Sequence, residues 1–64
     1  MWAIRYVNLQ VYYSFQRENG VIVMGEKEEA KTFYSKTEAQ SMFNGLYNEF
    51  EREHVKVEFE FIGS

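Results

Sequence analysis

Side chains able to do covalent or acid–base chemistry are scarce in this chain. Its 64 residues include one imidazole, His54, no cysteine and no aspartate, and all ten carboxylate side chains are glutamates. A Ser-His-Asp or Cys-His arrangement cannot be assembled from that set. One His is too few for a typical multi-ligand metal site, and it fits better at a helix end, where partial positive charge suits the dipole. Glu58 and Glu60 stand two apart on one strand face, a spacing at which carboxylates can share a proton in principle, but such pairs are mostly solvated surface. The stretch "NGVIVMGEK" has two glycines but neither a P-loop nor a dinucleotide fingerprint. The expectation is a protein that is not an enzyme, with no catalytic residue, no metal and no cofactor.

Binding is the remaining class, and composition narrows it. A chain this short makes one domain, residues 1–64, that buries only about 60% of its unfolded surface, which leaves little room for a large enclosed cavity. Aromatic residues are 19% of the sequence, and each large ring can bury roughly 150–250 Å², so the core must be built from rings. The net charge of −3 disfavours a nucleic-acid partner, whose affinity comes from neutralising phosphates with clustered Lys and Arg. No apolar run approaches the roughly 20 residues that span a bilayer, and "MWAIRYVN" lacks a cationic n-region followed by an h-region. A soluble, cytoplasmic protein without membrane contact is expected.

The elements that must position any binding residues read as follows. In "FYSKTEAQSMFNGLYNEFEREH", Ser35 and Glu38 have the spacing of a capping box, which starts a helix at Lys36. Ala39, Met42, Phe43, Leu46, Tyr47 and Phe50 then recur at i, i+3, i+4, i+7, i+8 and i+11, one apolar stripe on a helix running to about Arg52. "VKVEFEFI" alternates strictly, with Val55, Val57, Phe59 and Phe61 on one face of a strand and Lys56, Glu58, Glu60 and Ile62 on the other. "YVNLQVYYSF" reads as one strand whose core face carries Val7, Leu9, Val11, Tyr13 and Phe15. Asn19-Gly20 suits a two-residue type I′ turn, which pairs Glu18 with Val21 and Phe15 with Met24. Phe33 then needs a change of parity to enter the core. A bulge at Gly25 supplies it, and a break at "GEKEE" into two short strands is the alternative.

The expected fold class is α+β, a ββαβ chain with an antiparallel sheet in the order 2-1-3 and one helix packed on one face. That arrangement leaves the second sheet face, with Trp2, Ile4, Tyr6, Tyr12, Val21, Val23 and Ile62, uncovered within the chain. Either it is an interface, since contiguous apolar patches mark one, or the first strand coils around the helix ends and buries its rings. Across the helix from its stripe, Thr37, Ser41, Asn44, Gly45, Asn48 and Arg52 form a row poor in charge, with Gly45 costing about 1 kcal/mol relative to Ala. Such a row suits close approach by a partner backbone, and it also suits an ordinary solvated face. Trp2, Ile4, Tyr6, Tyr12, Ser41, Gly45 and Asn48 are the candidate partner-binding residues.

A leading Trp strand, a hairpin and then "AKTFYSKTEAQ" opening a helix resemble the arm-binding N-terminal domain of phage-type integrases over roughly Trp2 to Phe50. The resemblance implies a three-stranded sheet with one helix, and DNA contact through a basic sheet face. Here Arg5, Arg17 and Lys residues are scattered among Glu, and a further strand follows the helix. More broadly, the chain resembles the short, acidic, aromatic-rich products of small bacteriophage genes, many of which bind and block a host protein. That resemblance implies a phage-encoded inhibitor or modulator of a host protein, a defence or nucleic-acid enzyme among the candidates, using its aromatic sheet face for target capture or for homodimer or larger homo-oligomer formation. The second reading is a nucleic-acid-binding module in which Tyr6 and Tyr12 stack on bases while Arg5, Arg17 and Lys56 meet phosphates.

Overall fold

The computed structural model describes residues 1–63 and reverses the chain inside the stretch expected as one strand. β1 is Trp2–Tyr6 and β2 is Val11–Gln16, joined by a turn over residues 7–10. The Gln10 N–H donates to the Tyr6 carbonyl at 2.8 Å, and Gln10 takes a left-handed backbone with φ 56°. Tyr6 therefore pairs with Val11, and Arg5 with Tyr12. No Gly or Asn-Gly marks this turn, and the apolar alternation runs unbroken through it. Val7 and Leu9, expected in the core, sit in the turn, with Leu9 exposed.

β3, Ile22–Gly25, returns from β2 through a loop in which the Arg17 N–H donates to Val21 and the Gly20 N–H to Arg17. Only Gly20 has positive φ there, at 90°. The connection is thus a three-residue loop with a left-handed glycine, where a two-residue type I′ turn was expected. A bulge also exists, but on β2: the register shifts between Tyr13 and Phe15, so Tyr13 pairs with Met24 and Phe15 with Val23. Ser14 is the extra residue and Gly25 closes a regular pair with Tyr12. Tyr13 enters the core, while Phe15 turns to the opposite face and is half exposed.

After β3 the chain breaks at "GEKEE" into a single 3-10 turn, Lys27–Glu29, the alternative to one bulged strand. The Lys31 N–H then bonds the Tyr13 carbonyl of β2, and Phe33 exchanges both backbone bonds with Trp2 of β1 at 2.7 and 2.8 Å. The segment 31–33 is laid between the splayed ends of β1 and β2. Phe33 is buried beneath the helix, as its position before the cap predicts.

α1, Lys36–Leu46, starts where expected, with the Ser35 hydroxyl accepting from the Glu38 N–H at 3.1 Å. It does not continue to Arg52. Tyr47 is extended at φ −132° and ψ 141°, and Asn48 caps a second helix, α2, Glu49–His54, by a full capping box with Glu51. The break turns Phe50 out of the stripe, leaving it 72% exposed against His54. β4, Val57–Phe61, completes an all-antiparallel sheet in the order β3-β2-β1-β4. The α+β class with helix on sheet stands, and the order differs from 2-1-3 because the expected first strand is two.

One face of this sheet carries Trp2, Ile4, Tyr6, Val11, Tyr13, Ile22, Met24, Val57 and Phe59 against Ala39, Met42, Phe43 and Leu46 of α1. No helix among the described residues is long and apolar enough to cross a membrane.

Candidate functional site

The parity of β1 is the reverse of that expected, and this moves three of the seven candidate binding residues to the helix-facing side. Ile4 is fully buried and Tyr6 nearly so, both against the helix, while Trp2 is partly buried with an edge-to-face contact to Phe61 at 5.4 Å. The Tyr6 hydroxyl meets that of Tyr47 at 2.7 Å. Burial, then this hydrogen bond, pushes the Tyr6 phenol far above its ordinary value. Trp2, Ile4 and Tyr6 are therefore core residues, not an uncovered face.

Tyr12 lies on the other side of the sheet, and there it is locked. Its hydroxyl donates to both carboxylate oxygens of Glu60, at 3.0 and 2.9 Å, and the Lys27 ammonium reaches the same carboxylate at 3.2 Å. Since Tyr12 belongs to β2 and Glu60 to β4, the phenol spans β1, whose outward residue opposite Glu60 is the fully buried Ala3. The Tyr12 hydrogen bond foremost, then Lys27, holds the Glu60 carboxyl below its usual range. Lys27 is raised in turn by the same hydrogen-bonded carboxylate. Beside this group Arg5 faces Glu58 at a longer 3.7 Å. The outer face is thus covered in part by its own polar layer and the 3-10 turn, and neither Tyr6 nor Tyr12 offers a free ring for stacking on a base.

Gly25 permits that layer. A Cβ on Gly25 would stand 2.9 Å from Glu29 Oε1 and 3.0 Å from its Cβ and Cδ. Glu29 folds back there because its carboxylate accepts from the Glu26 N–H at 3.1 Å, closing the 3-10 turn onto the sheet.

The helix row fares differently. Ser41 and Gly45 open onto a groove of about 740 Å³ between α1 and the strand-like segment before it, with Phe33, Met42 and Leu46 among its lining residues and Tyr34 at its rim. Tyr34 is 84% exposed, and no atom lies within 4 Å of where a Gly45 Cβ would be. Asn48 is not part of this surface, being committed to its helix cap. Tyr34 is the residue that sequence reasoning passed over: it stands directly before the Ser35 cap and after the buried Phe33, a position that carries no signal of its exposure. A smaller cleft of about 300 Å³ lies by Tyr6 and Tyr47, with Leu9, His54 and Val55 also lining it. His54 Nδ1 donates to the Phe50 carbonyl at 2.9 Å, a helix-end role.

The molecule is a small helix-on-sheet α+β domain. No protein-family model matches the chain, and neither a curated protein nor a solved structure is found similar to it.

Proposed function

We propose that the protein is a small protein-interaction module, encoded by a bacteriophage, that acts in the host cytoplasm by binding a host protein and inhibiting or modulating it, without a reaction of its own. The observation that supports this reading is the groove beside α1. A helix that spends a glycine and a serine where larger residues would fit, next to an exposed tyrosine and an apolar floor, has the form of a docking site: an aromatic anchor beside small residues that admit a partner chain. The cost of Gly45 in a helix, about 1 kcal/mol relative to Ala, is not explained by crowding, since among the described residues no neighbouring atom lies within 4 Å of where its Cβ would be. A partner that enters the space does offset it.

The test is comparative. Wild type and Gly45→Lys are used as bait in a bacterial lysate, and bound proteins are identified by mass spectrometry. Gly45 faces open space, so the variant should fold, which circular dichroism checks. A host protein retained by wild type and lost by Gly45→Lys supports the proposal; equal retention by both, or no retained protein, overturns it.

A further inference from the structure

The smaller cleft, beside the Tyr6 and Tyr47 hydroxyls, inverts the charge of the chain around it. The sequence carries ten glutamates and a net charge of −3. Among the described residues no carboxylate lines this space, and its ionisable groups other than the phenols are two bases, His54 and Lys56. His54 Nδ1 is engaged by the Phe50 carbonyl, which leaves Nε2 as the nitrogen that can meet a ligand. The phenols add a donor. Their hydroxyls stand 2.7 Å apart and make no other hydrogen bond among the described residues, so whichever one donates, the other keeps a proton with no acceptor. The remaining wall is apolar: Met24 and Val55 are partly buried there, and Leu9, 62% exposed, is brought alongside by the turn over residues 7–10. A few convergent polar groups on an apolar wall are the usual make-up of a small-ligand site.

We propose that this cleft binds a small free carboxylic acid with an apolar body, the carboxylate accepting from the phenol pair beside the two bases and the body lying against Leu9, Met24 and Val55. Sign and size choose the ligand. A cation would meet His54 and Lys56 with no carboxylate to hold it, and a wholly apolar molecule would leave the phenol proton unpaired. The space is about 300 Å³, that of roughly ten waters at about 30 Å³ each. One aromatic ring with a short carboxylate arm fills it. The cleft shares no lining residue with the groove at Gly45, so the two sites stand or fall independently.

The probes are phenylacetate, its neutral amide and the matching amine, phenethylamine, each titrated into the isotopically labelled protein and followed by NMR. Phenylacetate should shift the backbone amides of Asn8, Leu9, Val55 and Lys56 saturably. The neutral amide should bind about tenfold more weakly, the effect of losing one charge-assisted hydrogen bond, and the amine should not bind. Tyr6→Phe or Tyr47→Phe alone leaves one phenol proton for the ligand, whereas the double variant, which keeps both rings, should weaken phenylacetate about tenfold. Leu9→Glu sets a carboxylate at an exposed position beside the cleft, clear of the core, and should abolish binding; circular dichroism checks that these variants fold. Equal binding of the neutral amide or the amine, unchanged affinity in Leu9→Glu or in the folded double variant, shifts centred on Ser41 and Gly45, or the absence of a saturable shift overturns the proposal. Tighter binding of a short peptide ending in phenylalanine with a free carboxylate overturns it in favour of a chain terminus.

Discussion

At the scale of single residues, Gly25 shows how a correct position can carry a wrong reason. Its backbone is regular, and the need for glycine comes from Glu29, whose side chain occupies the place of a Cβ. Gly25→Val should cost about 1–3 kcal/mol, as overpacking does, and the penalty should shrink when Glu29→Ala is added; chemical denaturation of the two single variants and the double reads the coupling. Tyr6→Phe should cost about 1 kcal/mol for the lost bond to Tyr47, and Tyr6→Glu should unfold the protein by placing a carboxylate in the core. The raised Tyr6 phenol means that stability is complete below its ordinary value of 10.0 and falls as pH rises above that, because the unfolded state releases the proton first. Glu60 has the opposite sign. Its lowered carboxyl contributes above the usual 4.5 and loses that contribution as pH falls through the folded value, so Glu60→Gln should flatten the acid limb of stability against pH. Tyr12→Phe should leave part of that limb, since Lys27 remains. The bonds of Tyr6 to Tyr47 and of Tyr12 to Glu60 were not legible in the sequence, because which face a ring takes depends on a turn that carries no turn signature.

Among the elements, α1 and β4 were legible and the first strand was not. Ser35 with Glu38 and the spacing of Ala39, Met42, Phe43 and Leu46 are local signals that tertiary packing reinforces. Strict alternation from Val57 to Phe61 is another. The residues from Tyr6 to Phe15 alternate just as well, yet Gln10 in a left-handed conformation folds them into a hairpin, and an extra residue at Ser14 reverses the parity again. Alternation reports which residues can share a face, not where a strand stops. The helix break at Tyr47 was missed for a related reason: Asn48 and Glu51 form a full capping box, where Ser35 makes only the bond from the Glu38 N–H, inside an apolar periodicity that runs past it. Asn48→Ala should therefore cost about 1 kcal/mol, like Ser35→Ala, whereas Ser41→Ala should be near neutral. Gly45→Ala should stabilise the helix by up to about 1 kcal/mol. Thermal unfolding of the four variants separates caps from interior positions. Of the candidate site, the Ser41 and Gly45 part was visible as missing bulk, and Tyr34 was not, because exposure cannot be read from a single ring beside a cap.

For the whole molecule, the pairing of β1 with β4 has a consequence in time. Trp2 is opposite Phe61, so this ladder closes a loop of nearly the entire described chain. The β2–β3 hairpin closes through a handful of residues. Closure entropy grows only with the logarithm of loop length, at (3/2)RT per log unit, but it must be met before distant contacts repay it. The hairpin and α1 should consequently assemble early, and β4 should dock late, onto a surface that already exists. A truncation such as Phe59→Ala should then accelerate unfolding while leaving the folding rate nearly unchanged, whereas Tyr13→Ala should slow folding, and stopped-flow chevron plots distinguish the two. The strand that closes the sheet is thus also the one that leaves it first: the lifetime of the native state is set at β4.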